Sequence, residues 1–159
     1  MKNEQANYRA TTPLARRGEA IDSPDRSAVG PEAMTRVFPG RHDQVAYARA
    51  FVQATPGPVS VVDEAVLLVS ELCTNALLHT ASGYDGTFEV AVYLGSLSVR
   101  IEVRDGGAAQ APSVRQPVGT FAEYGRGLDL VELLSDRWGY SGDSNGRSVF
   151  FELRWKQPD

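Results

Sequence analysis

The chain is poor in the residues that most often carry chemistry. Its 159 residues include one cysteine, Cys73, and two histidines, His42 and His79. One thiol cannot close a disulfide within the chain, and these few ligands fit no usual zinc spacing. Cys73 lies in an apolar run and reads as a small core residue in a reducing compartment. No apolar run approaches the roughly 18 residues that a membrane span requires. Arg16-Arg17 has the look of a twin-arginine export signal, but "GEAIDSPDRS" follows and no apolar segment is there to be translocated. A cytoplasmic protein without membrane contact is expected. Basic patches are missing too. The formal net charge is -4 and the pI about 5.2, and no Lys/Arg run is interleaved with aromatics. Such a surface does not displace counterions from phosphate backbones, which argues against direct nucleic-acid binding.

What is present suits one soluble domain with a single core: 42% hydrophobic and 23% charged residues. Residues 1–33 are polar, small and of mixed charge without periodicity, and read as a disordered N-terminal tail. The domain proper is expected over 34–155, with 156–159 as a C-terminal tail. "MTRVFPGR" gives a short strand ended by Pro39-Gly40. Asp43 is placed to cap a helix in which Val45, Ala48 and Val52 recur at helical spacing. "TPGP" breaks the chain, and a long helix, apolar over most of its circumference, runs from about Ser60 to His79. "TFEVAVYL" and "LSVRIEVRD" alternate as strands, with Gly95-Ser96 as their turn. One face of that pair should be covered and the other wet. Residues 106–125 have no period and read as a functional loop. An amphipathic helix is expected over 127–139, then a hairpin turning at Asn145-Gly146, with Val149, Phe151, Leu153 and Trp155 inward. The fold class is α+β: a two-layer sandwich of a mixed, mostly antiparallel sheet with helices on one face.

The long helix contains "VSELCTNALLHT". Glu71, Asn75 and His79 stand four apart, so they drift by only about 40° per step and form one strip. On so apolar a helix the strip is either a satisfied polar stripe toward loop and solvent or the wall of a wet cavity. Oxygen and nitrogen ligands there would suit Mg²⁺, which takes one or two protein ligands beside substrate phosphates. Two glycine clusters add weight. "VRDGGAA" places Asp105 at a strand exit, which alone could be an ordinary Asp-Gly turn. "YGRGLDL" sets Gly125 and Gly127 at the mouth of a helix, where backbone N–H groups can approach an anion; alone it could be a plain helix entry.

In order and spacing these segments resemble the GHKL (Bergerat-fold) ATP-binding superfamily, which includes gyrase, the ninety-kilodalton heat-shock chaperone and histidine kinases. The resemblance spans about 34–155 and is strongest to the small anti-sigma factor serine/threonine kinases. "ELCTNALLHT" is similar to the N box, "RDGG" and "GRGL" to the two glycine boxes, and "GRSVFFEL" to the last strand. The resemblance implies ATP and Mg²⁺ as cofactors, with Glu71 as general base and Asn75 as Mg²⁺ ligand. It implies His79 and Thr80 at the border of the nucleotide pocket, Asp105 on the adenine amine and Gly107 under the base. Gly125, Arg126, Gly127 and Leu128 would cradle the phosphates, and Ser148 would stand near adenine. Ala109 replaces a glycine usual in the first box. The activity implied is ATP-dependent phosphorylation of a STAS-type anti-anti-sigma partner, with a sigma factor as the second partner. The alternative is a non-catalytic, nucleotide-gated binding module. Members of that family often act as homodimers, though no stripe in this sequence marks an interface.

Overall fold

Alternating apolar residues fix the sheet. The computed structural model describes residues 33–79, 86–106, 121–142 and 146–158, with backbone alone for His79 and for 121–127. The elements follow as β1 (Ala33–Pro39), α1 (Gln44–Gln53), α2 (Val59–His79), β2 (Thr87–Leu94), β3 (Ser98–Asp105), α3 (Phe121–Leu134), β4 (Arg137–Gly142) and β5 (Arg147–Arg154). The strands lie in the order β1-β2-β3-β5-β4. Every pairing among them is antiparallel, so the mixed character expected of the sheet is not found among the described strands. The α+β class stands.

Val90, Val92, Ile101, Val103, Phe151 and Leu153 point to one face and are buried there. α2 packs across β3 and β5 on that face and touches α1 and α3 on its flanks. Its stripe of Ala65, Leu68, Val69, Leu72, Cys73, Ala76 and Leu77 closes the core together with Ala48 and Val52 of α1, Val131 of α3 and Trp138 of β4. Phe38 stacks on Phe88 with ring centroids 5.3 Å apart and anchors the edge strand β1.

The face turned away from the helices carries polar residues as the alternation demands, yet it is not simply wet. Arg100, Glu102, Phe150 and Glu152 are all buried. Their side chains lie against one another. Arg104 pairs with Glu89 and Glu102 and donates to the Tyr93 hydroxyl at 2.8 Å, Arg154 Nε donates to Glu152 at 2.6 Å, and the Arg100 guanidinium lies 3.7 Å from the Phe150 ring centre.

Three boundaries differ from the sequence reading. Asp43 does occupy the N-cap of α1 but makes no capping bond, because its carboxylate accepts from Arg41 Nε at 3.0 Å and from the Gln44 amide at 3.2 Å. The β2–β3 turn is centred one residue later than Gly95-Ser96. The Gly95 N–H donates to the Ser98 carbonyl at 2.8 Å, leaving Ser96 and Leu97 at the tip. α3 runs from 121 to 134 rather than from 127 to 139. Glycine inside a helix costs about 1 kcal/mol but does not end it, so Gly125 and Gly127 are carried along. At the other end β5 extracts the chain from the helix. The Asp136 N–H donates to the Glu152 carbonyl at 2.9 Å, and the Asp136 carboxylate accepts from the Arg154 N–H at 2.7 Å. Trp138 then enters the core from a strand.

Leu68→Ala removes a fully buried side chain at the centre of α2 and is expected to cost about 2–5 kcal/mol of stability. Leu133→Ala, at a position 62% exposed, should stay within about 0.5 kcal/mol. Urea unfolding of the two variants checks the contrast.

Candidate functional site

α2 sorts its own polar residues into two groups. Ser70 Oγ donates to the Val66 carbonyl and Thr74 Oγ1 to the Ser70 carbonyl, both at 2.8 Å. Those hydroxyls are satisfied by the helix itself. Glu71 and Asn75 are not: both are half-buried, and among the described residues neither side chain has a hydrogen-bond or ion-pair partner. On a regular helix Glu71 lies toward the outer side and Asn75 about 40° nearer the sheet. Glu71 borders a groove formed with Arg49, Gln53, Asp63, Val66, Leu67 and Ser70, between α1 and α2. Asn75 and Asp105 do not line that groove. Cys73, on the neighbouring turn, is fully buried, and burial pushes its thiol up to about 12. It is therefore no nucleophile at neutral pH.

Asp105 closes β3. The β3–β5 register pairs Val103 with Val149, Arg104 with Ser148, and Asp105 with Arg147. Since side chains alternate, Asp105 and Arg147 share the helix-facing side with the two valines, whereas Arg104 and Ser148 take the reverse side. Arg147 Nε lies 3.9 Å from Asp105 Oδ1, and the two side chains are only 14% and 6% exposed. Ser148 does not stand beside Asp105 on the helix-facing side. Its hydroxyl donates to Glu102, with Arg104 on the same carboxylate. Burial pulls the Glu102 carboxyl up, but these donors outweigh it and hold the group below its ordinary value of 4.5. The strand alternation that put Val149 and Phe151 inward already assigns position 147 to the helix-facing side. The sequence reading did not single out Arg147.

The second glycine box is placed differently from the expected phosphate cradle. Residues 125–128 fall inside α3, past its first turn, and Leu128 packs against the core. In a helix beginning at 121 the N–H groups without intrahelical partners are those of its first four residues. Gly125, Arg126, Gly127 and Leu128 are therefore committed to the helix backbone rather than open at its mouth. The backbone at His79 ends α2. Thr80, Gly107 and most of the functional loop expected over 106–125 lie outside the described residues.

A polar strip on a buried helix, a nearly buried aspartate at a strand end and a helix-on-antiparallel-sheet frame occur here in one domain. The family of histidine kinase-like ATPase domains matches residues 38–152. The chain belongs to that family. No curated protein matches it. Histidine kinase-like ATPase domains bind ATP, generally with Mg²⁺. The residues present fit both groups. Asp105 offers a nearly buried acceptor, and Asn75 offers a single half-buried amide, which suits an ion that draws its other ligands from water and phosphate. Among the described residues no cluster of three His, Cys, Asp or Glu could hold a metal on its own, and no helix is long and apolar enough to cross a membrane.

Ser148→Ala in this ATPase domain should lower stability by about 1–2 kcal/mol near neutral pH, with ATP affinity unchanged. Glu102 has a depressed folded-state pKa, so the stability it contributes is present above about 4.5 and lost as pH falls through the folded value. The deficit of the variant should shrink in the same acid range. Thermal melts from pH 3 to 7, with calorimetric ATP titrations, check both halves.

Proposed function

We propose that this domain is an ATP-dependent protein serine/threonine kinase that phosphorylates a STAS-type anti-anti-sigma partner and holds a sigma factor when that partner is absent. The observation that carries this reading is the pair Glu71 and Asn75. Two half-buried polar side chains on an otherwise apolar helix have no partner among the described residues. Such groups cost stability unless a ligand or water meets them. In this reading Glu71 accepts the proton of the attacking seryl hydroxyl. The seryl oxygen bonds to the γ-phosphorus, the bond to the β–γ bridging oxygen breaks, and ADP leaves. Asn75 would hold Mg²⁺, which would supply neutralisation of phosphate charge. Asp105 accepts from the adenine amine, which guanine lacks at that position.

The second reading, a nucleotide-gated binding module without transfer, is favoured by one specific observation. The groove that Glu71 borders contains neither Asn75 nor Asp105. In such a module Glu71 serves the partner surface rather than the phosphate.

Incubation with γ-labelled ATP, Mg²⁺ and candidate STAS-type proteins separates the two. The kinase reading expects phosphoserine on the partner. Glu71→Ala should keep ATP affinity within about twofold while slowing transfer by about 10²-fold or more. Asn75→Ala should lose Mg²⁺-dependent ATP binding. If Glu71→Ala labels the partner at the wild-type rate, Glu71 is not the base and the kinase reading fails. ATP binding with no labelled partner selects the module.

A further inference from the structure

We propose that Arg147 reads the base beside Asp105, donating from its guanidinium to N1 of adenine while Asp105 accepts from the N6 amine. This rests on the ATP-binding reading of the site. Three observations lead to it. The β3–β5 register sets Arg147 directly opposite Asp105 on the helix-facing side, while Ser148, its neighbour, is turned to the reverse side and occupied by Glu102. The Arg147 side chain is 14% exposed and carries five N–H donors. Its separation of 3.9 Å from Asp105 is an ion pair and not a hydrogen bond. Among the described residues its guanidinium donates to no acceptor. An ion-paired guanidinium that donates to no acceptor among the described residues has N–H groups to offer a ligand.

The chemistry of the base supplies it. The Watson–Crick edge of adenine places a donor, the N6 amine, next to an acceptor, N1. Asp105 and Arg147 present an acceptor next to a donor. The two patterns are complementary. With the base held in the same place, hypoxanthine or guanine reverses both positions, turning O6 toward the carboxylate and N1–H toward the guanidinium. Asp105 alone would reject the oxo bases through O6. Arg147 adds a second, independent check at N1.

The test uses ATP and 1-deaza-ATP, in which N1 is replaced by C–H while the N6 amine remains. Calorimetric affinities are measured on the full chain with Mg²⁺ at pH 8. The wild-type chain should bind 1-deaza-ATP about tenfold more weakly than ATP, the size expected for loss of one charge-assisted hydrogen bond. Arg147→Met should weaken ATP to the level of the analogue and abolish the ratio. Arg147→Ala replaces it if the methionine variant fails to fold by circular dichroism, and Arg147→Lys should restore part of the ratio. Equal binding of the two nucleotides by wild type overturns the proposal. So does a variant that weakens both nucleotides equally, because Arg147 would then act only through Asp105. A folded wild-type chain that binds neither nucleotide overturns the ATP-binding reading itself.

Discussion

The packing of α2 across β3 and β5 is the contact on which the rest depends. Leu68, Val69 and Cys73 are fully buried against a sheet face that presents Ile101 and Phe151, also fully buried. Burial of that size is the dominant favourable term for a small domain. It also fixes the rotation of the helix. Once Leu68, Leu72 and Ala76 face the sheet, Glu71 and Asn75 must lie on the flank and cannot be moved without turning the apolar stripe out of the core. The strip is thus placed by hydrophobic burial, while the hydroxyls of Ser70 and Thr74, bonded to their own helix, make no demand on the surroundings.

The β3–β5 register does for the sheet what α2 does for the helix layer. A single pairing runs from Ser98 opposite Arg154 to Asp105 opposite Arg147. The helix-facing side descends through valines, Ile101 and Phe151, and ends in a charge pair. The reverse side carries Arg100, Glu102, Arg104 and Glu152. Arg104 pairs with Glu102 and Glu89, Arg154 pairs with Glu152, and Ser148 donates to Glu102. The Arg100 guanidinium lies over the Phe150 ring, with one buried nitrogen lacking a hydrogen-bond partner among the described residues. Because strand periodicity is two, a slip of one residue would exchange these sides completely. The polar ladder therefore helps specify register, since a one-residue slip would bury its arginines and glutamates against α2.

Most of the frame was legible because its elements are long and strongly periodic. The length and apolarity of Val59–His79, and the alternation of Thr87–Leu94 and Ser98–Asp105, needed no tertiary information. The ends of α3 were less legible for two reasons. Phe121, Tyr124, Leu128 and Val131 already follow helical spacing, but the intervening glycines masked it. Trp138 falls at helical spacing from Leu134, although β5 captures Asp136 between them. The burial of Arg100 and Glu152 was not legible, since local sequence does not tell whether a polar face meets water or its own neighbours. For the site, Glu71, Asn75 and Asp105 could be named from residue type and order. Ser148 was chosen by likeness at a position one residue from Arg147, where alternation along β5 decides which side chain faces the helices.

The Asp105–Arg147 pair is hard to understand as a stabilising device. Removing two charges from water costs several kcal/mol per ion, and at 3.9 Å the two side chains make no hydrogen bond to each other. The preceding rungs show the cheaper solution: Val103 opposite Val149 and Ile101 opposite Phe151 bury apolar surface at no such cost. An apolar rung at 105 and 147 would continue that pattern and hold the strands equally well. The helix-facing side of this strand pair departs from its own apolar pattern at that rung only, with both side chains largely enclosed. A donor and an acceptor set side by side at that rung are what the proposed reading of adenine uses.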